Sequence, residues 1–394
     1  MSEPVDLMTF LADPMGTIAS ARTQGSVLHT PEGAVMVLDQ LDVRTLLGDP
    51  ALEVNFSQML ALTGITSGAF HDWMARSPLD HEGDDHRRWR TFMNRAFTPG
   101  RVKEVRPFLA AEADRLADRL AEVGDVELMA DFADVLPALG LCELIGVPAE
   151  DRDHFTVLAH TIGYGFRPLL LAEHIAEVDD AVEQLLAYAA GLLDQRRADP
   201  RDDLVSHFAL AGDEAGYTNE DCAAFLAGLV FAGNDTTRNQ IGWMVATLIE
   251  RPDVWDGLGS ADLDVAEAVE ELMRHRSAVP AVSRAVAADV EVDGEVIPAG
   301  TPVLLSLWGA DSDPAVYPKP TDLDLAANAG LPHLAFGHGP HHCLGAALAR
   351  AELQESLRAL TATLAVPEVR EPIEWSVPIG INGPTRVPLR VGRR

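Results

Sequence analysis

Apolar residues recur at every third or fourth position through long stretches of this chain, as in FLAAEADRLADRLAEV (108–123) and IAEVDDAVEQLLAYAAGLLDQRR (175–197). That spacing places them on one face of a helix, and it dominates residues 84–249. Within this region Thr218-Asn219-Glu220-Asp221 carries side-chain oxygens of the kind that satisfy the free amides of a helix start. A long helix is predicted from there towards Leu248. Asp264 and Glu267 have capping-box spacing, which predicts a helix over 264–276. Period-two alternation is rarer. It follows the turn-like Pro31-Glu32-Gly33 at residues 34–38, surrounds Asp293-Gly294 at residues 290–300, and returns at residues 387–391. Asp-Gly between alternating residues is a hairpin signal. Residues 310–332 are irregular and rich in Pro and Asp, and a last helix is expected to start near Cys343. The fold class read from this pattern is mainly α with a small β region.

The 394 residues are 47% hydrophobic and 23% charged, enough for a large buried core. Nothing resembles a linker, a repeat or a low-complexity tract, so one domain over residues 1–394 is expected. The longest apolar run, residues 223–233, falls well short of the ~18 residues that cross a bilayer. The N-terminus MSEPVDLMTF has no basic stretch followed by an apolar one, and a cytoplasmic location is expected. A formal charge of −31 argues against nucleic acid and against anionic membrane surfaces as partners. Three cysteines at wide spacing give no disulfide framework. Cys142 lies in the apolar ALGLCELIGV and Cys222 on a helical stretch, so both read as inert core residues.

Cys343 keeps different company. Phe336-Gly337-His338-Gly339-Pro340-His341-His342-Cys343-Leu344-Gly345 sets two glycines and a proline close together, which makes a tight loop that lets backbone approach a flat ligand. A helix starting at the cysteine would stabilise its thiolate. Zinc sites pair ligands from two segments, and no second Cys/His cluster exists here. A cysteine nucleophile would need a general base and an oxyanion site, of which the sequence gives no independent sign.

The loop resembles the haem-binding signature of the cytochromes P450, F-G-x-G-x-H-x-C-x-G, at every fixed position. The resemblance implies the P450 fold, a mostly α domain with a β-rich corner. It implies haem b with Cys343 as axial ligand, donating electron density that favours O–O cleavage. Phe336, His341 and Gly345 of the loop fall among the cofactor-binding positions. Glu271-Leu272-Met273-Arg274 matches the family's structural E-x-x-R pair. One departure stands out: the family's F-D-x-x-R segment is here Leu323-Asp324-Leu325-Ala326-Ala327, with Ala327 in place of an arginine. The usual three-membered network is therefore open to question.

Two haem propionates need cationic or hydrogen-bonding partners. His86 and Arg90 share a helical face in DDHRRWRTFMNRAF and match the family's H-x-x-x-R, while Arg284 matches its arginine after the E-x-x-R helix. Ala232-Gly233-Asn234-Asp235-Thr236-Thr237 gathers poor helix formers inside the long helix. Gly233 would let a ligand approach, and Thr236 is placed to hydrogen-bond the carbonyl of Ala232 and loosen the helix. The match to A-G-x-[D/E]-T-T implies that Ala232 and Gly233 border the cofactor and that Asp235 and Thr236 form an acid–alcohol proton relay.

These features together point to a monooxygenase that inserts one atom of O2 into an apolar small molecule. Electrons would come from ferredoxin and ferredoxin reductase, because no flavin or iron–sulfur segment is present. An acidic ferredoxin would dock near Arg87, Arg88 and Arg106. A peroxygenase and a non-catalytic haem-binding protein are the competing readings, and the acid–alcohol pair argues against both. Oxidative coupling or ring closure would use the same machinery. By resemblance the pocket draws on Phe70, Trp73, Ile162, Phe166, Phe231, Ala281, Val282 and Ile381, each of which is equally suited to fill core.

Overall fold

The computed structural model describes residues 4–54 and 56–394. They divide into two compact units, each assembled from separated stretches of chain.

The first unit comprises the N-terminal residues through Val54, Asp264–Cys343 and Trp375–Gly383. Its sheet has five strands in the order Val27–His29, Val35–Val37, Pro302–Ser306, Ala281–Val286, Leu52–Glu53. Val35–Val37 runs parallel to Pro302–Ser306 and the other neighbours are antiparallel. Val37, Val303 and Leu305 are buried with Val43, Leu46 and Val286 in one apolar cluster. The expected hairpin pairs Val290–Val292 with Glu295–Ile297. Asp293 at φ 50° and Gly294 at φ 75° both take the positive values that a two-residue type I′ turn requires. The helix Val265–His275 starts where Asp264 accepts the amides of Ala266 and Glu267, and it turns Glu271 and Arg274 inward.

The second unit is mostly helical and comprises Phe56–Leu263, Leu344–Glu374 and Pro384–Arg394. Its long helix, Asn219–Ile249, opens with a complete capping box between Thr218 and Asp221. It packs against Pro168–Ala198, while Pro99–Val123 packs against Ala346–Thr363. Arg106 with Glu355 and Arg358 with Asp114 tie that second pair of helices together. A three-stranded sheet orders Asp125–Glu127, Pro388–Arg390 and Glu368–Val369. Among the described residues no helix is long and apolar enough to cross a membrane.

Two local expectations need correction. The last helix starts at Ala346, not at Cys343, because the Cys343 amide turns back to the Phe336 carbonyl at 2.9 Å and keeps the cysteine in the loop. The Asn219–Ile249 helix also runs without a break through Gly233 and Thr236. Thr236 does donate to the Ala232 carbonyl at 2.8 Å, but one such bond is absorbed inside a well-packed helix.

Candidate active site

The cysteine loop is held from its first residue. Leu334 donates its amide to Asp311 at 2.7 Å, and its carbonyl accepts from Gly337 at 2.7 Å. His333 bonds Glu270 at 3.1 Å and accepts the Ala335 amide, and the Pro332 carbonyl accepts from Gln40 and Tyr317. Gly337 and Gly339 have φ of +69° and +73°, and the Cys343 amide closes the loop on Phe336. A Cβ on Gly339 would lie 2.7 Å from the Leu47 carbonyl oxygen, so only glycine fits there. A Cβ on Gly337 would meet no described atom within 4 Å. The loop thus presents Cys343 exposed beside an open glycine, whereas Cys142 and Cys222 are buried and their thiols are pushed up to about 12 by burial. A thiol offered this way could hold the metal of a bound cofactor.

Behind the loop, Glu271 grips Arg274 with two bonds of 2.7 and 2.9 Å. Arg274 donates onward to the carbonyls of Asp311, Pro320 and Asp322. The arginine absent at Ala327 is replaced by smaller donors. Glu271 Oε1 accepts the Asp324 amide and the Asn328 side chain, both at 3.0 Å. The network keeps a third arm made of an amide side chain and backbone. Removing one member of a buried pair of this kind costs about 3–5 kcal/mol.

In the second unit Asp235 is buried. Its Oδ1 accepts from Arg167 at 3.2 Å, and its Oδ2 has no hydrogen-bond partner in the structure. Arg238 lies 3.9 Å from the same Oδ1 but is bound through Nε to Asp134. His160 completes this cluster. Burial lowers its imidazole, Asp134 and Asp235 oppose that shift, and Arg238 and Arg167 add to it. Thr236, next in sequence to Asp235, is half-buried. Beyond it Thr237 faces Glu352, a fully buried acid lodged where a Cβ on Gly140 would come within 2.9 Å. Burial pushes Glu352 well above the usual carboxylate range. The Thr237 hydroxyl pulls the other way without forming an ordinary hydrogen bond.

The remaining expected residues are distributed as follows. His86 is buried and Arg90 half-buried on the helix Gly83–Ala96; Arg284 is buried in the strand Ala281–Val286. His341, Phe336 and Gly345 are half-buried in or beside the cysteine loop. Ala232 is exposed, and the bare face of Gly233 points at Leu141, where a Cβ would sit 3.2 Å away. Phe70, Trp73, Ile162 and Phe231 are buried in one unit with the half-buried Phe166. Trp73 donates its indole N–H to the Ala224 carbonyl, a structural bond that fixes its ring. Ile381 is buried, and Ala281 and Val282 half-buried, in the other unit. Arg87 pairs with Asp84, Arg88 bonds the Ala215 carbonyl over Tyr217, and Arg106 bonds Glu355 and Gln354.

Sequence reading missed Arg167, His160, Glu352, Asp311 and Asn328. Two of these carry a visible signal. Arg167 interrupts the aromatic, turn-rich YGFRP, and Glu352 stands four residues after Leu348 on the apolar stripe of its helix.

The profile described as Cytochrome P450 matches residues 263–364. The chain is 32% identical over 376 residues to Luteothin monooxygenase of Streptomyces thioluteus, covering 95% of this chain and 92% of that protein. It is 36% identical over 371 residues to Mycinamicin IV hydroxylase/epoxidase of Micromonospora griseorubida, covering 91% and 89%. Among solved structures it resembles the P450 enzyme CxnD, described as acting in C–S bond formation in chuangxinmycin biosynthesis. That match has a TM-score of 0.86 at 30% identity and covers 100% of this chain and 98% of the other.

Proposed function

Because this chain belongs to the cytochrome P450 family, whose members are haem-thiolate monooxygenases, we propose that Cys343 is the haem ligand and that an apolar small molecule is the substrate. Residues 1–394 then act as a single catalytic domain. Haem b, when bound, supplies the iron at which dioxygen is activated. The thiolate of Cys343 would hold that iron and donate electron density to it. His86, Arg90, Arg284 and His341 would supply donors for the two haem propionates through charge-assisted bonds. Ala232, Phe336 and Gly345 would offer small or flat surfaces to the ring, whereas the bare face of Gly233, expected to admit a ligand, is taken up by Leu141.

Proton supply falls to Asp235 and Thr236. The observation that carries this reading is Asp235 itself, a buried carboxylate with one oxygen engaged and the other unpartnered. Leaving a buried acceptor unpaired costs about 1–3 kcal/mol, and a relay through water or the neighbouring hydroxyl would use that position. Thr236 donates to the Ala232 carbonyl and still has lone pairs to accept a proton while giving one up. Such a pair serves dioxygen reduction by external electrons. A peroxygenase has no need of it. Oxidative coupling is a further outcome of the same residues; CxnD, which this chain resembles, is described as acting in C–S bond formation.

Electrons come from a ferredoxin and its reductase in the cytoplasm in this proposal. The deciding experiment is the optical spectrum of the reduced, CO-bound protein, with Cys343→Ala as comparison. A thiolate-type band in the wild type that is absent from a folded Cys343→Ala supports the assignment. A histidine-type band in the wild type would sink it. Screening apolar compounds for a low- to high-spin shift then identifies the substrate.

A further inference from the structure

A cleft of about 300 Å³ opens in the helical unit, between the start of the helix Pro99–Val123 and the helix Leu204–Ala215. That volume reaches the lower end of what small-molecule sites use. Charges of both signs line it, but they are not equally available. Asp203 is engaged at both oxygens: Oδ1 accepts the Ser206 amide at 2.7 Å and Oδ2 accepts from the buried Arg196 at 2.6 Å. The Ser206 hydroxyl accepts the Arg201 amide at 2.8 Å, which fixes the backbone of the loop between Pro168–Ala198 and Leu204–Ala215. The side chains of Arg101 and Arg201 are held far more loosely. Arg101 meets Asp202 at 3.4 Å and Arg201 meets Asp199 at 3.8 Å, and both aspartates are exposed. Exposed pairs of that length contribute little and exchange readily.

His207 reports the field inside the cleft. Its ring lines the wall beside Phe92, with centroids 6.1 Å apart. Burial lowers its imidazole below the ordinary value, and Arg101 and Arg95 push it further the same way. Guanidinium charge therefore reaches this wall, on a chain whose formal net charge is −31. Most of such a surface repels an anion, so a cationic recess is where one can settle. His207, Leu210, Ala211 and Glu214 follow at three- and four-residue spacing, so one helix face forms the wall. Leu210 is exposed there and offers apolar surface next to the arginines, while the exposed Glu214 opposes an anion from farther along the same face.

We propose that this cleft is a ligand site for a small carboxylate with an apolar tail. The carboxylate lies between Arg101 and Arg201, whose planar forks match its two oxygens, and displaces the exposed aspartates from them. The tail covers Leu210 and Ala211. Binding ties the start of Pro99–Val123 to the loop at residues 199–203.

The test is isothermal titration of the haem-loaded protein with hexanoate, in saturating 1-phenylimidazole so that the haem iron is already taken. The wild type binds one equivalent. Arg101→Gln and Arg201→Gln each weaken binding about fivefold or more, and the double variant abolishes it. Leu210→Ser weakens it about threefold, and Glu214→Gln tightens it about twofold. Hexanol, which lacks the charge, does not bind, and inorganic phosphate, which lacks the tail, binds more weakly than hexanoate. Both arginine pairs are exposed, so the variants keep the wild-type thermal midpoint without ligand, whereas hexanoate raises that midpoint in the wild type alone. No hexanoate binding to the blocked wild type, or an affinity unchanged in the double variant, overturns the site. Phosphate bound as tightly as hexanoate, weaker binding in Glu214→Gln, or no effect of Leu210→Ser overturns the ligand class.

Discussion

Asp311 shows how one buried side chain sets a pH dependence. Burial raises its carboxyl from the ordinary 3.8 to about 7, against the opposing pull of His333, the Leu334 amide, Arg274 and Tyr317. The folded chain therefore binds this proton more readily than the unfolded chain does between those two values. Stability from this group is full at low pH and is lost as pH rises towards about 7, by roughly 2–4 kcal/mol. Asp311→Asn keeps an oxygen for the Leu334 amide and does not titrate. We expect it to exceed the wild type in denaturant midpoint at pH 8 and to lose that advantage by pH 5. An equal difference at both pH values would show that Asp311 does not titrate in this window. The relay gives a second prediction at this scale. Thr236→Ala should bind substrate and accept electrons yet release peroxide in place of product, cutting coupling by about tenfold or more. Reductant consumed, peroxide and product are measured together, and wild-type coupling would refute the assigned role. Short motifs mark Cys343, Glu271, Arg274, Asp235 and Thr236 in the sequence; the structure joins Glu271 to Arg274, and the parts given to the other three are the proposal made above. Arg167 and Asp311 were not legible, because their partners, Asp235 and Leu334, are distant in sequence and nothing local marks the pairing.

Elements were legible where local chemistry decides them. Thr218 and Asp221 close both bonds of a capping box, and Asp293-Gly294 turns the expected hairpin. Thr218→Ala should lower the thermal midpoint by an amount worth about 1 kcal/mol; no change would mean that the packing of the helix, not its cap, sets its start. Ala, Leu, Arg and Glu after Cys343 favour a helix from the cysteine onwards, but a bond back to Phe336 holds the cysteine outside it and the helix starts at Ala346. The loop gives a sharper test. Gly339→Ala meets both a positive φ and the Leu47 carbonyl, and should cost about 2 kcal/mol or more. Haem content and thermal midpoint should fall together, whereas Gly337→Ala carries the φ penalty without the collision and should fall less. The five-stranded sheet was illegible, because strands as short as Leu52–Glu53 give too few positions for a period and their partners are far along the chain.

At the scale of the whole chain, the mainly α content and the class of chemistry were both readable, whereas the substrate-facing surface was not. Phe70, Trp73 and Phe231 look alike as core and as pocket lining, since both roles call for buried apolar rings. The net charge of −31 makes any cationic patch conspicuous to an acidic electron donor. Arg87 and Arg88 have exposed partners, and exposed pairs are worth less than about 1 kcal/mol and exchange readily, whereas Arg106 is held by the buried Glu355. Electron transfer from an acidic ferredoxin should slow with rising salt, and Arg87→Ala with Arg88→Ala should flatten that dependence. A rate indifferent to salt would move the docking site elsewhere.

The parallel pairing of Val35–Val37 with Pro302–Ser306 also matters during biosynthesis. The first strands leave the ribosome early and wait for partners that follow much later in the chain. The last stretch of their unit, Trp375–Gly383, comes later still, with the Asn382 amide bonding the Ala278 carbonyl. At about 5–20 residues per second, the interval between Val35 and Val303 is roughly 13–54 s. Through that time the edge of the first hairpin is unprotected while the helical unit emerges and begins to collapse. Nascent chains arrested before residue 303 should therefore be cut readily within residues 27–37, and chains arrested well beyond 383 should resist. Slowing translation would lengthen exposure of an unpaired strand edge, so poor yield of this protein would be a matter of timing as much as of final stability.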